Sequence, residues 1–260
     1  MTFSTIRVAR EDGVGRVTLA RPDVRNAFNA EVIAELHTAF DELGLDPEIF
    51  AIVLAGDGKV FCGGADINWM RASLELSRER NVADARAMSD MFRAIDRSPK
   101  PTVARIQGAA LGGGAGLAAV CDVVLAADDA LFGFTETKLG IIPAVISPFV
   151  LAKIGTSHAR ALFLTGERFD ARRAQAIGLV HEIATEETLD AAVARVLAEL
   201  RTAGPQAVSA AKHLIVDVGA LSYDASRDHT AHAIATQRTG DEGQEGLRAF
   251  LERRKAGWSK

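Results

Sequence analysis

Three consecutive glycines, Gly112, Gly113 and Gly114, constrain this chain more than any other feature. They follow a short run rich in β-branched residues, 102–106, which suits a buried strand. They precede an apolar run, 117–120, so the stretch from Thr102 to Asp122 reads as strand, glycine turn, helix. Ordering three adjacent glycines costs chain entropy, so the turn needs a reason for them. That reason is close approach: without Cβ atoms something can touch the backbone, and N–H groups at a helix start can face a partial negative charge. The turn is therefore a candidate oxyanion or anion site, the alternative being a close-packed turn without a ligand.

A second glycine turn, FCGGADINWMR at 61–71, follows a second short apolar strand, AIVLA at 51–55. Asp66 stands just past it and can cap the next segment or touch a ligand. Glu136 lies between the apolar strand 130–134 and the apolar loop 139–143. Desolvation there would raise its pKa toward a useful acid–base range; the plainer alternative is an exposed strand-end carboxylate paired with Lys138.

Around these turns the chain begins as a hairpin, 6–8 and 17–19 about Asp12-Gly13. A helix capped by Asn29 follows, with Val32, Ile33, Leu36, Phe40 and Leu43 at helical spacing. Residues 74–97 read as a polar helix with Met88, Met91, Phe92 and Ile95 along one side. From residue 145 only helices are expected, at 145–154, 157–164, 171–177, 188–200, 206–218, 222–239 and 242–255. Strand pairs followed by helices recur near 6–43, 51–70 and 102–121, which predicts an α/β fold of stacked ββα-like turns and not a plain doubly wound sheet. The expected division is a core at 1–200 and a helical part at 201–260.

Several function classes fall away. A net charge of −4 without a dense Lys/Arg block does not suit a nucleic-acid binder. No apolar run is long enough to span a bilayer, and Cys62 and Cys121 read as apolar filler in a reducing compartment, so a soluble, cytoplasmic protein is expected. His229 and His232 are three apart with no third ligand near in sequence, and no metal is expected. A GxGxxA match at Gly114, Gly116 and Ala119 starts inside the helix and not at the turn, which weakens a dinucleotide reading. Ser157 misses the GxSxG pattern and reads as a helix cap.

RNAF at 25–28, GGADI at 63–67, ALGGGAGLAAVCD at 110–122 and FGFTETKLGIIP at 132–143 together resemble the crotonase (enoyl-CoA hydratase/isomerase) family. TGERFDARRAQAIGLVHEI at 165–183 and AFLERRKAGW at 249–258 extend the resemblance over essentially the whole chain. GADINWMR and AVISPFV at 144–150 look like the bacterial branch acting on 3-methylglutaconyl-CoA and related esters. The resemblance implies a crotonase-like spiral of ββα units with a helical C-terminal trimerisation region, as a homotrimer or a hexamer of two trimers. It implies an acyl-CoA thioester substrate, no separate cofactor, and a place in fatty-acid or leucine breakdown. Carried onto this sequence, the backbone N–H groups of Ala65 and Gly113 would stabilise a thioester enolate, and Glu136 would be the acid–base group. Arg25, Ala27 and the backbone of Asp66 and Ile67 would hold CoA, and Phe250 and Arg253 would reach a neighbouring subunit's CoA.

One departure shapes the expected reaction. Two-glutamate hydratases of the family carry the first glutamate in a GGGxE pattern, and here that position is Gly116. Hydration of a 2,3-enoyl-CoA with Glu136 alone is the first expectation, and a Δ3–Δ2-enoyl-CoA isomerase is the second. A non-catalytic acyl-CoA-binding protein is the third. Arg71 and Lys138 are the candidates to hold a distal substrate carboxylate.

Overall fold

A computed structural model of the chain describes residues 3–258. The hairpin β1 (Ile6–Glu11) and β2 (Val14–Leu19) turns at Asp12 and Gly13, both with positive φ, as a two-residue hairpin turn requires. Four turns of a spiral follow. In the first, β2 leads through Phe28 to α1 (Ala30–Leu45), whose first free N–H groups are met by the Asn29 side chain on Val32 N at 2.9 Å. In the second, β3 (Ala51–Gly56) leads through the 61–65 segment to α2 (Ile67–Ser73) and α3 (Arg78–Asp96). In the third, β4 (Thr102–Ile106) and β5 (Ala109–Leu111) lead to α4 (Gly113–Val120). In the fourth, β6 (Val123–Ala127) and β7 (Leu131–Gly133) lead through a 3-10 turn, Glu136–Leu139, to α5 (Ser147–Thr165).

Then come β8 (Arg168–Asp170), α6 (Ala171–Ala176), β9 (Glu182–Ala184), α7 (Glu186–Thr202), α8 (Pro205–Ala220), α9 (Tyr223–Thr239) and α10 (Asp241–Leu251). Two sheets result. One has the order β1-β2-β3-β4-β6-β9, parallel except for the first hairpin; the other has the order β5-β7-β8. Isolated parallel bridges, Cys62 with Ala110 and Phe28 with Ala65, continue the ladder of the second sheet back through the earlier turns.

The fourth turn goes beyond the three repeats the sequence pattern predicts: its β7 is three residues long and its helix starts only after a loop. The two helices expected at 145–154 and 157–164 run together as α5 (Ser147–Thr165) across a kink at Gly155, whose φ of 73° is non-helical, and Ser157 lies just past that kink within helical backbone. The expected helix at 74–97 starts only at Arg78, behind a Ser77 cap. Strands β8 and β9 interrupt the part expected to be all helix.

Rings pack the interior along the spiral: Phe28 on Phe92 at 6.2 Å, Phe92 on Phe149 at 5.8 Å and Phe134 on Phe163 at 5.2 Å between centroids. Cys62 and Cys121 are free and buried, and burial pushes each thiol up to about 12. The 200/201 division lies in the last turn of α7. Helices α8, α9 and α10 pack on one another, and Ala249 is the one buried residue they hold. Lys212 of α8 ties them to the core, donating to Asp122 Oδ2 at 2.8 Å and to the Lys100 carbonyl at 3.2 Å. No helix among the described residues is long and apolar enough to cross a membrane, and they include no group of three or more His, Cys, Asp or Glu side chains arranged to hold a metal ion.

Candidate active site

The two glycine turns face one cleft of about 260 Å³, lined by Ala65, Gly113 and Glu136 among largely apolar neighbours. Main-chain bonds hold the first turn. Phe28 N donates to the Gly64 carbonyl at 2.7 Å and Asp66 N to the Phe28 carbonyl at 2.8 Å, which leaves the intervening Ala65 N–H with no acceptor among the described residues. The second turn hangs on Gly112 N, which donates to the Gly133 carbonyl at 2.8 Å. Gly112 has φ 52° and ψ −121°, a conformation a side chain disfavours, and it puts Gly113 at the first position of α4. The Gly113 N–H is one of the helix's unsatisfied donors and opens on the cleft.

Close packing accounts for the other glycines. A Cβ at Gly114 would lie 2.6 Å from the Cys62 carbonyl oxygen, and one at Gly113 would lie 2.8 Å from the Phe28 ring. These contacts close the dinucleotide reading: Gly114 and Gly116 are buried inside α4 against protein, with no room for a phosphate.

Glu136 starts the 3-10 turn after β7. Its Oε2 is buried and has no hydrogen-bond partner among the described residues, and burial raises its pKa above the usual carboxylate range. Its Oε1 lies 3.3 Å from where a Cβ on Gly112 would stand, so the carboxylate sits over the second glycine turn. Lys138 does not pair with it; the described salt bridges include neither residue.

Asp66 is both capping residue and ion-pair partner. Its Oδ1 accepts from Asn68 N at 2.8 Å and Trp69 N at 3.4 Å, and its Oδ2 pairs with Arg21 Nη2 at 2.8 Å. Burial would raise its pKa, but the Arg21 guanidinium and the two N–H groups outweigh that and hold it below the ordinary value. The carboxylate is thus engaged, and so is the main chain of Asp66, whose N–H donates to the Phe28 carbonyl and whose carbonyl accepts from Met70 N at 2.8 Å; the Ile67 N–H at the start of α2 has no acceptor among the described residues. Arg21 Nη1 also donates to the Ala27 carbonyl at 2.7 Å, which clamps the 22–28 loop against the first glycine turn. Asn26, buried with φ 55°, donates to the Asp57 and Val60 carbonyls. Arg21 belongs to no motif of its own and Asn26 stands out only within the RNAF run at 25–28; the local signal for their roles is the proline turn at Pro22 that lies between them.

Arg25 is exposed, with φ 56°, and its carbonyl accepts from Gly63 N at 2.8 Å, which places it beside the first glycine turn. Ala27 is buried behind it and Ile67 is exposed at the start of α2. Phe250, exposed at the end of α10, and Arg253 do not line this chain's own cleft. Arg71 and Lys138 are absent from the cleft wall as well, so neither expected partner for a distal carboxylate is placed there. Instead Trp69, Met88, Ile142 and Ile146 give the wall an apolar character.

A family model described as enoyl-CoA hydratase/isomerase matches residues 9–260. The chain superposes on the structure of Pseudomonas aeruginosa AtuE with a TM-score of 0.96 and 38% identity, covering 99% of this chain and 100% of that one. It superposes on an enoyl-CoA hydratase from Shewanella pealeana with a TM-score of 0.95 and 36% identity, covering 98% and 96%. Enoyl-CoA hydratase ACTT6 of Alternaria alternata is 38% identical over 208 residues, which cover 80% of this chain and 68% of that protein. The spiral, the paired glycine turns and these likenesses agree: the chain belongs to the enoyl-CoA hydratase/isomerase family and has the crotonase fold.

Proposed function

We propose that this protein hydrates the 2,3-double bond of an enoyl-CoA thioester, using Glu136 as its single acid–base group. The observation that carries the reading is the buried, unpartnered Oε2 of Glu136, with a raised pKa, in the same cleft as two unengaged backbone N–H groups. The thioester oxygen accepts from Ala65 and Gly113. The Glu136 carboxylate takes a proton from water, the hydroxyl bonds to C3, and the C2=C3 electron pair moves onto the thioester oxygen as an enolate. The glutamic acid then returns its proton to C2 on the same face, and the carboxylate is restored. Each N–H is worth about 3–4 kcal/mol at the developing oxyanion. A base of raised pKa suits proton transfer near neutrality.

CoA arrives as part of the substrate, and the proposed chemistry calls for no further cofactor. The backbone at Ala27 and Ile67 with the Arg25 side chain would hold it, and Phe250 and Arg253 would serve a neighbouring subunit. Assembly as a homotrimer or a hexamer, in the cytoplasm, completes the reading; the apolar Leu247, Phe250 and Leu251 exposed on α10 support it. The apolar wall favours an uncharged acyl group. A 3-methylglutaconyl ester remains within the proposal if its distal carboxylate sits outside the wall.

The lack of a second carboxylate in the cleft favours one other reading, a Δ3–Δ2 isomerase in which Glu136 moves a proton between C4 and C2. One assay separates them. Pure protein is given crotonyl-CoA, 3-methylglutaconyl-CoA and a 3-enoyl-CoA separately. Loss of enone absorbance with the gain of one water in mass supports the hydratase. Gain of enone absorbance from the 3-enoyl ester at constant mass overturns it in favour of the isomerase.

A further inference from the structure

Gly116 of α4 leaves side-chain space that a cleft residue from another element, Ile146, fills. A Cβ built on it would overlap Cγ2 of Ile146 outright and stand 3.1 Å from Ile146 Cβ and 3.0 Å from Cζ of Phe92. Ile146 is itself buried, at 2% exposure, and lines the cleft. It therefore lies between Gly116 and the cavity, filling with its own methyl the notch that the glycine leaves. Its position is held: Ile146 sits at the N-cap of α5, its carbonyl accepts from Val150 N at 3.0 Å, and Pro148 stiffens the first turn. Phe92, packed between Phe28 and Phe149, backs the notch and cannot retreat.

We infer that Ile146, seated on Gly116, is the specificity-determining residue that sets how much acyl group the cleft admits. The inference rests on the acyl-CoA reading of the site. Interior packing is close enough that a methyl added or removed is felt directly by a ligand on the same wall. Truncating Ile146 opens the notch to the cleft and enlarges the acyl space. Adding a methyl at Gly116 does the opposite, driving Ile146 toward the substrate. The two positions are thus coupled, and each offsets a change at the other.

The test compares wild type with Ile146→Ala, Gly116→Ala and the double variant. Two ratios are read: kcat/KM for 2-octenoyl-CoA over crotonyl-CoA, and binding of octanoyl-CoA over butyryl-CoA by calorimetry. Ile146→Ala should shift both ratios toward the longer ester by about tenfold or more, the worth of a methylene or two in an apolar pocket. Gly116→Ala should shift them the other way, and the double variant should return toward wild type. A loss of activity equal for both esters in Ile146→Ala, with the binding ratio unmoved, overturns the inference and leaves a packing role only. If Gly116→Ala fails to fold, Ile146→Ala and the double variant decide the matter. A binding ratio that shifts as expected, with no turnover of either ester by any variant, upholds the inference while the enzymatic reading falls. Wild type that binds no acyl-CoA overturns both.

Discussion

Lys153 donates from Nζ to the main-chain carbonyl of Cys121 at 2.7 Å, at the opposite end of α4 from the Gly113 N–H that opens on the cleft. All eight residues of α4 are buried, so the carbonyls at its C-terminal end have no water to turn to. A cation placed there satisfies them and matches the negative end of the helix dipole. Lys153→Met should cost about 2 kcal/mol, the range for a hydrogen bond made by a charged donor. It should also lower kcat more than it raises KM, because the far end of the same short helix carries the proposed oxyanion donor. Urea unfolding and steady-state kinetics check both; a change in stability alone would mean that α4 keeps its aim without the lysine.

Burial lowers the Lys153 pKa, while Asp122 and Asp96 nearby oppose the shift and Lys212 adds to it. The unfolded chain therefore binds more protons between the lowered folded value and the ordinary lysine value, and the contribution to stability rises with pH across that interval. Lys153→Met removes this rise, which unfolding curves collected at several alkaline pH values should show.

Glu136→Gln should reduce turnover by about 10²–10⁴-fold while acyl-CoA binding persists. Unchanged turnover would remove Glu136 from the chemistry, and lost binding would point to a structural role. The pH dependence carries a second signature. The folded-state pKa of Glu136 lies above its unfolded value, so the folded chain binds more protons between the two, and stability falls as pH rises through that interval. Glu136→Gln lacks this penalty. It should melt higher than wild type at pH 8 and equally at a pH below the ordinary glutamate value of about 4.3. For the same reason the acid limb of kcat/KM should lie above the usual glutamate range.

Asp66→Asn should destabilise the protein by about 3 kcal/mol, since it strands the guanidinium of Arg21 in a largely buried pair. The depressed pKa of Asp66 gives the sign of its pH effect. Its contribution is present above the ordinary aspartate value and is lost as pH falls through the folded value, so the variant should show a shallower acid-side loss than wild type. Denaturant titrations at pH 7 and pH 3.5 read both effects.

Gly112→Ala tests the second turn without touching its N–H groups. The residue holds φ 52°, and the new methyl would stand 3.3 Å from Oε1 of Glu136. Strain and crowding together should lower kcat by at least about tenfold, the effect of a strain of some 1–3 kcal/mol placed on the reacting groups. An active variant with wild-type kcat would show that the Gly112 conformation is incidental to the site.

Much of this was legible from residue patterns. Both glycine turns, the Asn29 cap, the hairpin and the partly desolvated place of Glu136 follow from local chemistry, because turn geometry and capping are decided by a few neighbouring residues. What escaped the sequence is what distant segments decide together. Arg21 joins Asp66 across 45 positions, Lys153 meets Cys121 across 32, and Ile146 fills the space of Gly116. The periodicity of residues 74–97 overran the helix start because Leu74–Leu76 carry on an apolar rhythm in a turn. The three-residue strands β8 and β9 are too short to show a period at all.

The bridges from Phe28 to Ala65 and from Cys62 to Ala110 set the spacing of the two N–H donors through peptide groups alone. Point substitution exchanges side chains and leaves peptide N–H groups in place, proline excepted. The half of the site proposed to hold charge is therefore shielded from ordinary mutation, while the groups proposed to decide where protons go and which acyl chain fits are single side chains, each open to replacement. A lineage built on this spiral can change its reaction one residue at a time without first dismantling the pair of peptide N–H groups proposed to stabilise the enolate.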